Sequence, residues 1–146
     1  MSTTKTRVSI MAFTMVLAAM AMVYAATNVF TLHSTGTVKG IGVGIYWDSG
    51  CTSRVTSIDW GLAEPGMIQN KTVYIKNEGN ANVTLTLQTS NWSPTSAATY
   101  ISLGWTYNNQ TILVNQVIQV ILRLTIASNV TGITTFSFDI MVTAVG

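Results

Sequence analysis

The chain has 146 residues, and only 8% of them are charged, against roughly a quarter in ordinary soluble domains. Its formal net charge is +2, and Lys5 and Arg7 near the N-terminus account for that excess. The remaining cations and acids therefore balance. Nucleic-acid binding needs clustered Lys and Arg to neutralise phosphates, so we expect no nucleic-acid partner.

The N-terminal segment, residues 1–25, has the pattern of a secretory signal peptide. Lys5 and Arg7 precede an apolar run that begins at Val8, and the run contains no acid. Small or tolerated side chains then lead to a cleavage site between Ala25 and Ala26. The sequence therefore predicts a secreted protein that acts outside the cell or at its surface.

The same apolar run leaves a second interpretation open, because it approaches the roughly 20 residues that span a bilayer. An uncleaved helix would make the chain a membrane-anchored monomeric ectodomain or binding module, or a subunit of type IV pilin kind. Val8 stands where pilin processing wants a small residue, which disfavours the pilin version. Every version places residues 26–146 outside the cytoplasm.

Residues 26–146 contain about eight short segments in which apolar and polar residues alternate, separated by turn residues. The clearest are Val117–Ile126 and Ile133–Val145. A short helical signal occurs at Ser93–Ala98, where Ser93 can cap and Pro94 suits the first helical position. This pattern predicts an all-β fold, an antiparallel sandwich of immunoglobulin-like or jelly-roll-like kind. The residues expected to point inward from the two clearest strands are Val120, Leu122, Leu124, Ile126, Phe136, Phe138, Ile140 and Val142.

The predicted organisation is a signal peptide over 1–25, an N-terminal strand with a linker over 26–36, and the sandwich over 37–146. Within the sandwich, Val73–Lys76 and Val83–Leu87 flank the turn Asn77–Asn80, and we predict that they form a hairpin. The separator Ser34–Gly36 is predicted to lie outside any strand.

Three alternate glycines, Gly40, Gly42 and Gly44, bare one face of a strand predicted over Thr37–Asp48. We call them the glycine row. Glycine packs nothing and weakens a strand, so such a row marks either a twisted edge strand or a surface on which another backbone lies flat. Both interpretations stay open at this point.

Residues with catalytic or metal-binding chemistry are scarce. His33 is the one histidine, Cys51 is the one cysteine, and no His or Cys pair has the spacing of metal ligands. A nucleophile would need His33 as its base, with an acid such as Asp139. We therefore expect no enzyme and no cofactor, and leave open a calcium site assembled from loops.

Five Asn-X-Ser/Thr sequons mark candidate N-glycosylation sites of a secreted chain. They begin at Asn70, Asn82, Asn91, Asn109 and Asn129. Glycans at these positions would supply the hydration that the missing charges do not. The four tryptophans are expected to fill the core of the sandwich rather than to bind sugars.

Short motifs at predicted strand ends and turns form a set. They are Gly44–Asp48, Cys51-Thr52, Ile58–Gly61, Pro65-Gly66, Val73–Asn77, Gly79-Asn80 and Phe136–Ile140. This set resembles small secreted archaeal surface proteins of β-sandwich fold, and the similar bacterial TasA-type fibre proteins. Members of that group include subunits of threads and bundling pili. The likeness covers nearly all of residues 26–146, and its motifs are structural corners rather than active-site residues.

The resemblance implies a structural subunit of an extracellular filament that polymerises by donor-strand complementation. In that mode the N-terminal strand of one copy completes the sheet of the next copy. The implied donor residues are Val29, Phe30, Thr31 and Leu32. The glycine row is the implied acceptor surface, and the partner is a further copy of the chain added head to tail. The membrane is touched only by the N-terminal segment, before cleavage.

Overall fold

The computed structural model describes residues 32–146, apart from the side chains at 32 and 39–41, and shows a sandwich of two four-stranded sheets. The first sheet has the strand order β3-β1-β8-β5, and the second has the order β2-β4-β7-β6. The predicted β-sandwich is confirmed. The strands are β1 Leu32–Ile41, β2 Val43–Tyr46, β3 Ser57–Ala63, β4 Ile68–Asn77, β5 Thr84–Ser93, β6 Ile101–Trp105, β7 Val117–Ile126 and β8 Thr135–Val145.

The core is built mainly on β7 and β8, each an inner strand of its sheet. All eight side chains that the alternation predicts to point inward from these strands are at most 3% exposed. Fully burying a large apolar side chain stabilises a fold by about 1.5–3 kcal/mol. The period-two pattern thus fixes both the faces of these strands and the position of the core.

Between β3 and β8 lies β1, which runs antiparallel to β3 and parallel to β8. The other described ladders are antiparallel, so the expectation of a fully antiparallel sandwich is wrong for one ladder. Parallel neighbours cannot be joined by a tight turn. The first and last strands of the sandwich avoid this limit because no short connection has to join them.

The hairpin predicted around Asn77–Asn80 is wrong, because β4 and β5 lie in different sheets. The connection between them is an arch over the core. Within residues 32–146, six of the seven strand connections pass between sheets, and only β6 to β7 stays within one. Most of the turn residues between the strands therefore carry the chain from one sheet to the other and do not form hairpins within one sheet.

The single strand predicted over Thr37–Asp48 is also wrong, because the chain turns at Gly42 from the first sheet into the second. Gly42 has φ +74°, a left-handed conformation that glycine adopts without steric cost. Upstream, Ser34–Gly36 lies inside β1 rather than in a separator. Strand β1 therefore runs across the predicted boundary at residue 36.

The short helix, α1, spans Ala97–Tyr100, a few residues later than the helical signal predicts. Ser93 ends β5 instead of capping a helix, and Ser96 is the residue before the helix. In the part of the chain that the structure describes, no helix is long and apolar enough to cross a membrane.

Candidate assembly site at the ends of the sandwich

Strand β1 defines two ends of the sandwich. At the end where it begins, Leu32 pairs with Ala63, the last residue of β3. At the other end, Ile41 pairs with Thr143 and the chain crosses between sheets at Gly42. We call these the entry end and the crossing end. Ten residues of strand separate them by about 30 Å.

The predicted donor segment leads into the entry end. Val29, Phe30 and Thr31, like the cleavage site between Ala25 and Ala26, lie outside the described residues. Leu32 is the first residue of β1 and sits beside the last residue of β3. The chain that precedes β1 therefore joins the sandwich at this end.

The glycine row lies at the crossing end, but it does not form one face of one strand. Gly40 pairs with Val142 in the first sheet, whereas Gly44 pairs with Lys76 in the second. Gly42 forms the corner between them, and a Cβ atom there would come within 3.2 Å of the Cβ atom of Ala144. The row thus bends around the crossing end.

Gly44 is covered by side chains of its own chain. A Cβ atom at this position would lie 2.5 Å from Glu78 Oε1 and from Tyr46 Cε2, closer than real Cβ contacts. A side chain at this position would have to displace both of these side chains. Gly44 therefore does not offer a bare surface to a partner.

Those covering side chains belong to a clamp of Tyr46, Arg54 and Glu78. The Tyr46 hydroxyl donates to Glu78 Oε1 over 2.5 Å, and Arg54 Nη2 donates to both Glu78 carboxylate oxygens over 2.7 Å. The guanidinium also lies 5.3 Å from the centre of the Tyr46 ring. The clamp ties the edge strand β2 to the arch that follows β4.

The clamp predicts an acid-sensitive component of stability. The hydrogen bond from Tyr46, together with Arg54, holds the pKa of Glu78 below its ordinary value of 4.5. A lowered folded-state pKa means that this contribution is complete above about pH 4.5 and is lost as the pH falls through the folded-state pKa. We expect Glu78→Gln to unfold at lower temperature than the natural chain at pH 7, and the difference to shrink on acidification to pH 3.

Thermal unfolding followed by circular dichroism at several pH values measures this effect. Glu64→Gln, which changes an exposed carboxylate in the turn before β4, is the matched control. We expect it to unfold at the same temperature as the natural chain at each pH. Some acid sensitivity should persist in Glu78→Gln. Backbone N–H groups of Ser53 and Thr52 hold the pKa of Asp48 below its usual range as well. A gap that stays constant from pH 7 to pH 3 would contradict the role of Glu78.

At the crossing end, β1 has a described ladder partner on one side only. Its pairing with β3 ends at Thr37 and Ser57, with one further bond from the Val38 N–H to the Thr56 carbonyl, whereas its pairing with β8 continues to Ile41. Among residues 32–146, no strand lies beside the other backbone edge of residues 39–41. Such an edge can accept an added strand through main-chain hydrogen bonds.

The inner face of β1 is small and partly polar. Ser34 is 2% exposed, and its Oγ has no hydrogen-bond partner among the described residues. The buried Nε1 of Trp60 also lacks one, and it would lie 3.5 Å from a Cβ atom at Gly36. Each unpaired buried polar group costs roughly 1–3 kcal/mol.

The candidate catalytic residues do not meet. His33 is exposed on the outer face of β1 and pairs with Thr135, whereas Asp139 lies four residues further along β8. Four residues of strand correspond to about 13 Å, too far for a direct hydrogen bond. Within residues 32–146, no three His, Cys, Asp or Glu side chains are grouped as metal ligands, and Cys51 is a half-exposed free thiol.

The tryptophans divide between core and surface. Trp60 is 2% exposed, and Trp92 and Trp105 are part-buried against the core. The expectation of core positions is confirmed for Trp60 and partly for these two. Trp47, at 39% exposed, lies largely on the surface.

All five sequon asparagines are exposed, so each is accessible to modification. Asn91 has φ +53°, and its side-chain nitrogen donates to Asp139 over 2.7 Å. Asn82 lies at the crossing end, where its side-chain oxygen accepts the N–H of Val114. The others are distributed over β4 and two loops.

Sequence reasoning missed a shallow groove of about 330 Å³ on the outer face of the first sheet, near the entry end. It forms where the end of β5 meets β8, with Ser93 opposite Ser137, and β1 closes the other side. No local signal marks it, because three separate strands build it. Its lining residues are His33, Thr35, Ser93, Pro94, Thr135, Phe136 and Ser137.

Compared with known proteins, the chain matches no family model, and no curated protein is similar enough in sequence to serve as a relative.

Proposed function

We propose that the chain is a structural subunit of an extracellular, glycosylated cell-surface filament that assembles head to tail by donor-strand complementation. We further propose that its sandwich is of the immunoglobulin-like or jelly-roll-like kind, which fits two four-stranded sheets joined mainly by connections that cross between them. The subunit has no catalytic role in this proposal.

The observation that carries the proposal is the separation of the two predicted assembly elements. The donor segment joins the sandwich at the entry end, through Leu32, and the glycine row bends around the crossing end. A contact between the entry end of one copy and the crossing end of another joins two different surfaces. With such a heterologous contact, one subunit at each end of the assembly keeps a free surface. Further subunits can therefore add, and the assembly grows into a filament instead of closing.

The backbone edge of residues 39–41 that has no strand beside it among residues 32–146 supports the proposal, because it offers an acceptor beside the glycine row. Residues 29–31 of the next copy, which precede its own β1, would add there as a short strand, with Phe30 as the docking side chain. Main-chain hydrogen bonds would supply affinity, and the Phe30 side chain would set the register. The balanced charge of residues 26–146 leaves little repulsion between copies.

Deleting residues 27–31 tests the proposal, because these residues precede β1 and include most of the predicted donor segment. We expect the shortened chain to be secreted and to keep its urea unfolding midpoint, but to form no filaments by negative-stain microscopy. A chain in which the five residues become alternating Gly and Ser keeps the length and should fail in the same way. Filaments of natural abundance from either variant would contradict donor-strand assembly.

N-terminal sequencing of the secreted protein separates this proposal from its alternatives. A chain that begins at Ala26 fits a released subunit with a free donor segment. A chain that retains its first 25 residues would instead favour a membrane-anchored ectodomain or a pilin-like subunit.

A further inference from the structure

The groove on the outer face of the first sheet is a polar concavity. Four hydroxyl side chains, one imidazole and one proline line it: Thr35, Ser93, Thr135, Ser137, His33 and Pro94. Phe136 also borders the groove, but its side chain is only 3% exposed. The volume of about 330 Å³ lies at the low end of the range for small-molecule sites, about 300–1,000 Å³, so the groove suits one compact ligand.

The strand register brings the polar side chains together. In the parallel ladder between β1 and β8, His33 lies beside Thr135 and Thr35 lies beside Ser137. On the other side of β8, Ser137 lies opposite Ser93 at the end of β5. The residues that separate these positions on β1 and β8 are buried, so the paired side chains point away from the core. Strand spacing and rise give the cluster a width of about 10 Å and a length of about 7 Å.

A β-bulge fixes the β5 side of the groove. Between its pairing with Asp139 and its pairing with Ser137, β5 contains one residue more than β8. Trp92, in the bulge, stacks on the buried ring of Phe138 with centroids 4.1 Å apart, and the Asn91 side chain donates to Asp139 over 2.7 Å. Bulges re-aim side chains and are common next to functional sites. The groove is therefore pre-formed, which lowers the entropic cost of binding a ligand.

The charges around the groove disfavour an anionic ligand. Asp59 lies beside Thr35 on β3, and Asp139 follows Ser137 by two residues on β8. The turn between β3 and β4 contributes a third acid at this end. Among residues 32–146, Lys39 is the one lysine or arginine on a strand of this sheet, about 13 Å along β1 from Thr35. Apart from the imidazole in the groove itself, a phosphate, sulfate or uronate would thus meet carboxylates before it met a cation.

The two carboxylates beside the groove are too far apart to hold one metal ion between them. Asp59 and Asp139 lie on strands separated by β1 and differ by two positions in register, which places their Cα atoms about 12 Å apart. Each also accepts a local hydrogen bond, Asp59 from the Gly61 N–H and Asp139 from Asn91. A ligand of the groove therefore has to bind mainly through hydrogen bonds to neutral groups.

We propose that the groove binds a neutral hexose unit of a saccharide. Hydroxyl groups donate and accept, and a neutral imidazole does both through its two nitrogens, so the lining matches the mixed donors and acceptors of a sugar. A neutral sugar carries no charge for the flanking carboxylates to repel. Pro94 and the methyl groups of Thr35 and Thr135 supply apolar surface for the C–H groups of the ring.

The sugar site depends on the groove alone, whereas its use in adhesion rests on the proposed filament function. A filament repeats the groove once in every subunit. A polysaccharide that touches several grooves at once is held by many weak contacts, and its overall affinity exceeds that of one groove. The filament would then attach to saccharide-coated surfaces.

Saturation-transfer NMR on the natural secreted chain tests the site. The probes are methyl α-glucoside, methyl α-mannoside and methyl α-galactoside, with a methyl glucuronoside as the anionic control. We expect at least one neutral hexoside to bind with a millimolar dissociation constant, as suits a shallow site. The glucuronoside should bind about tenfold more weakly, because its carboxylate faces Asp59 and Asp139.

Two changes at the centre of the groove locate the binding. Ser137→Tyr fills the groove and should abolish the hexoside signal, and Ser137→Ala removes one hydroxyl and should weaken binding about threefold or more. Thr86→Tyr and Thr86→Ala are the matched controls, because Thr86 is exposed on the outer face of β5, seven residues from Ser93. They should bind like the natural chain. Binding of none of the three hexosides, equal binding of the glucuronoside, or undiminished binding to Ser137→Tyr would overturn the site.

Two sources can supply such a sugar, a foreign polysaccharide or the N-glycans of the chain itself. Co-sedimentation of natural filaments with mannan, dextran and galactan tests the first source, and co-sedimentation with glycopeptides prepared from the secreted chain tests the second. We expect a polysaccharide to bind filaments about tenfold more tightly, per sugar unit, than the methyl hexoside. Retention of the glycopeptides alone would overturn the adhesive use and assign the groove to contacts between glycosylated copies.

The same measurements separate the sugar site from the filament function. A natural chain that binds the hexoside but forms no filaments by negative-stain microscopy overturns the filament function and leaves the sugar site supported. Filaments that bind no hexoside overturn the sugar site alone.

Discussion

Replacing Phe138 by alanine is expected to lower the free energy of unfolding by about 4 kcal/mol. Phe138 is 2% exposed and lies on the inner strand β8. Its ring stacks on Trp92 with centroids 4.1 Å apart, and Phe136 stacks 6.2 Å away. The change removes a large buried ring and leaves a cavity that neighbouring strands cannot close without breaking their ladders.

Urea unfolding followed by tryptophan fluorescence measures this loss. Phe138→Leu retains most of the volume and should lose only about 1 kcal/mol, mainly the stacking on Trp92. Met141→Ala, on the outer face of the same strand, is the control and should be close to neutral. A loss below about 1.5 kcal/mol for Phe138→Ala would show that the aromatic stack is not a central part of the core.

The sequence predicts the long inner strands well because burial alone determines their pattern. In β7, five buried apolar residues alternate with polar or half-exposed ones, and both bounds of the strand match the prediction Val117–Ile126. In β8 the same period places Phe136, Phe138 and Ile140 inward. A one-residue slip would turn every side chain to the wrong face, so the pattern leaves a single solution.

The pairing of the strands could not be predicted in the same way. The residues Asn77–Asn80 suit a sharp turn whether the chain returns in the same sheet or crosses to the other. The side chain of Asn77 helps to hold the arch, because it donates to the carbonyl of Ile112, 35 residues away. A contact of that range leaves no trace in the local pattern.

The glycine row shows how three similar residues have different causes. Gly42 is needed for its left-handed φ at the corner between sheets. Gly44 is needed because Tyr46 and Glu78 occupy the space of a side chain. The alternation along the sequence suggested one bare face. The glycines at 42 and 44 are instead explained by a backbone angle and by side chains up to 34 positions away. For the candidate site, the sequence predicted a donor segment and marked the glycine row, but only the fold shows that β1 begins at one end of the sandwich and that the row lies at the other.

Replacing Asn77 by alanine is expected to destabilise the protein by about 3 kcal/mol, because three hydrogen bonds of a fully buried side chain are lost. Its nitrogen donates to the carbonyls of Ala81 and Ile112, over 2.8 and 3.2 Å, and its oxygen accepts the N–H of Gly79 over 2.9 Å. Asn80→Ala, an exposed change in the same arch, is the control and should cost less than about 0.5 kcal/mol. Equal losses for the two variants in urea unfolding would exclude a special role for Asn77.

Asn77→Asp gives a sharper test of the same hydrogen bonds, since it preserves shape and replaces the donor by an acceptor. At neutral pH the carboxylate would face two carbonyl oxygens in a buried site, so its pKa should be raised and the loss should be at least that of Asn77→Ala. A raised folded-state pKa means that the deficit relative to the natural chain shrinks as the pH falls, because the protonated acid can donate to one carbonyl. Acid should therefore restore the stability of this variant, and a pH-independent deficit would show that these carbonyls are not its partners.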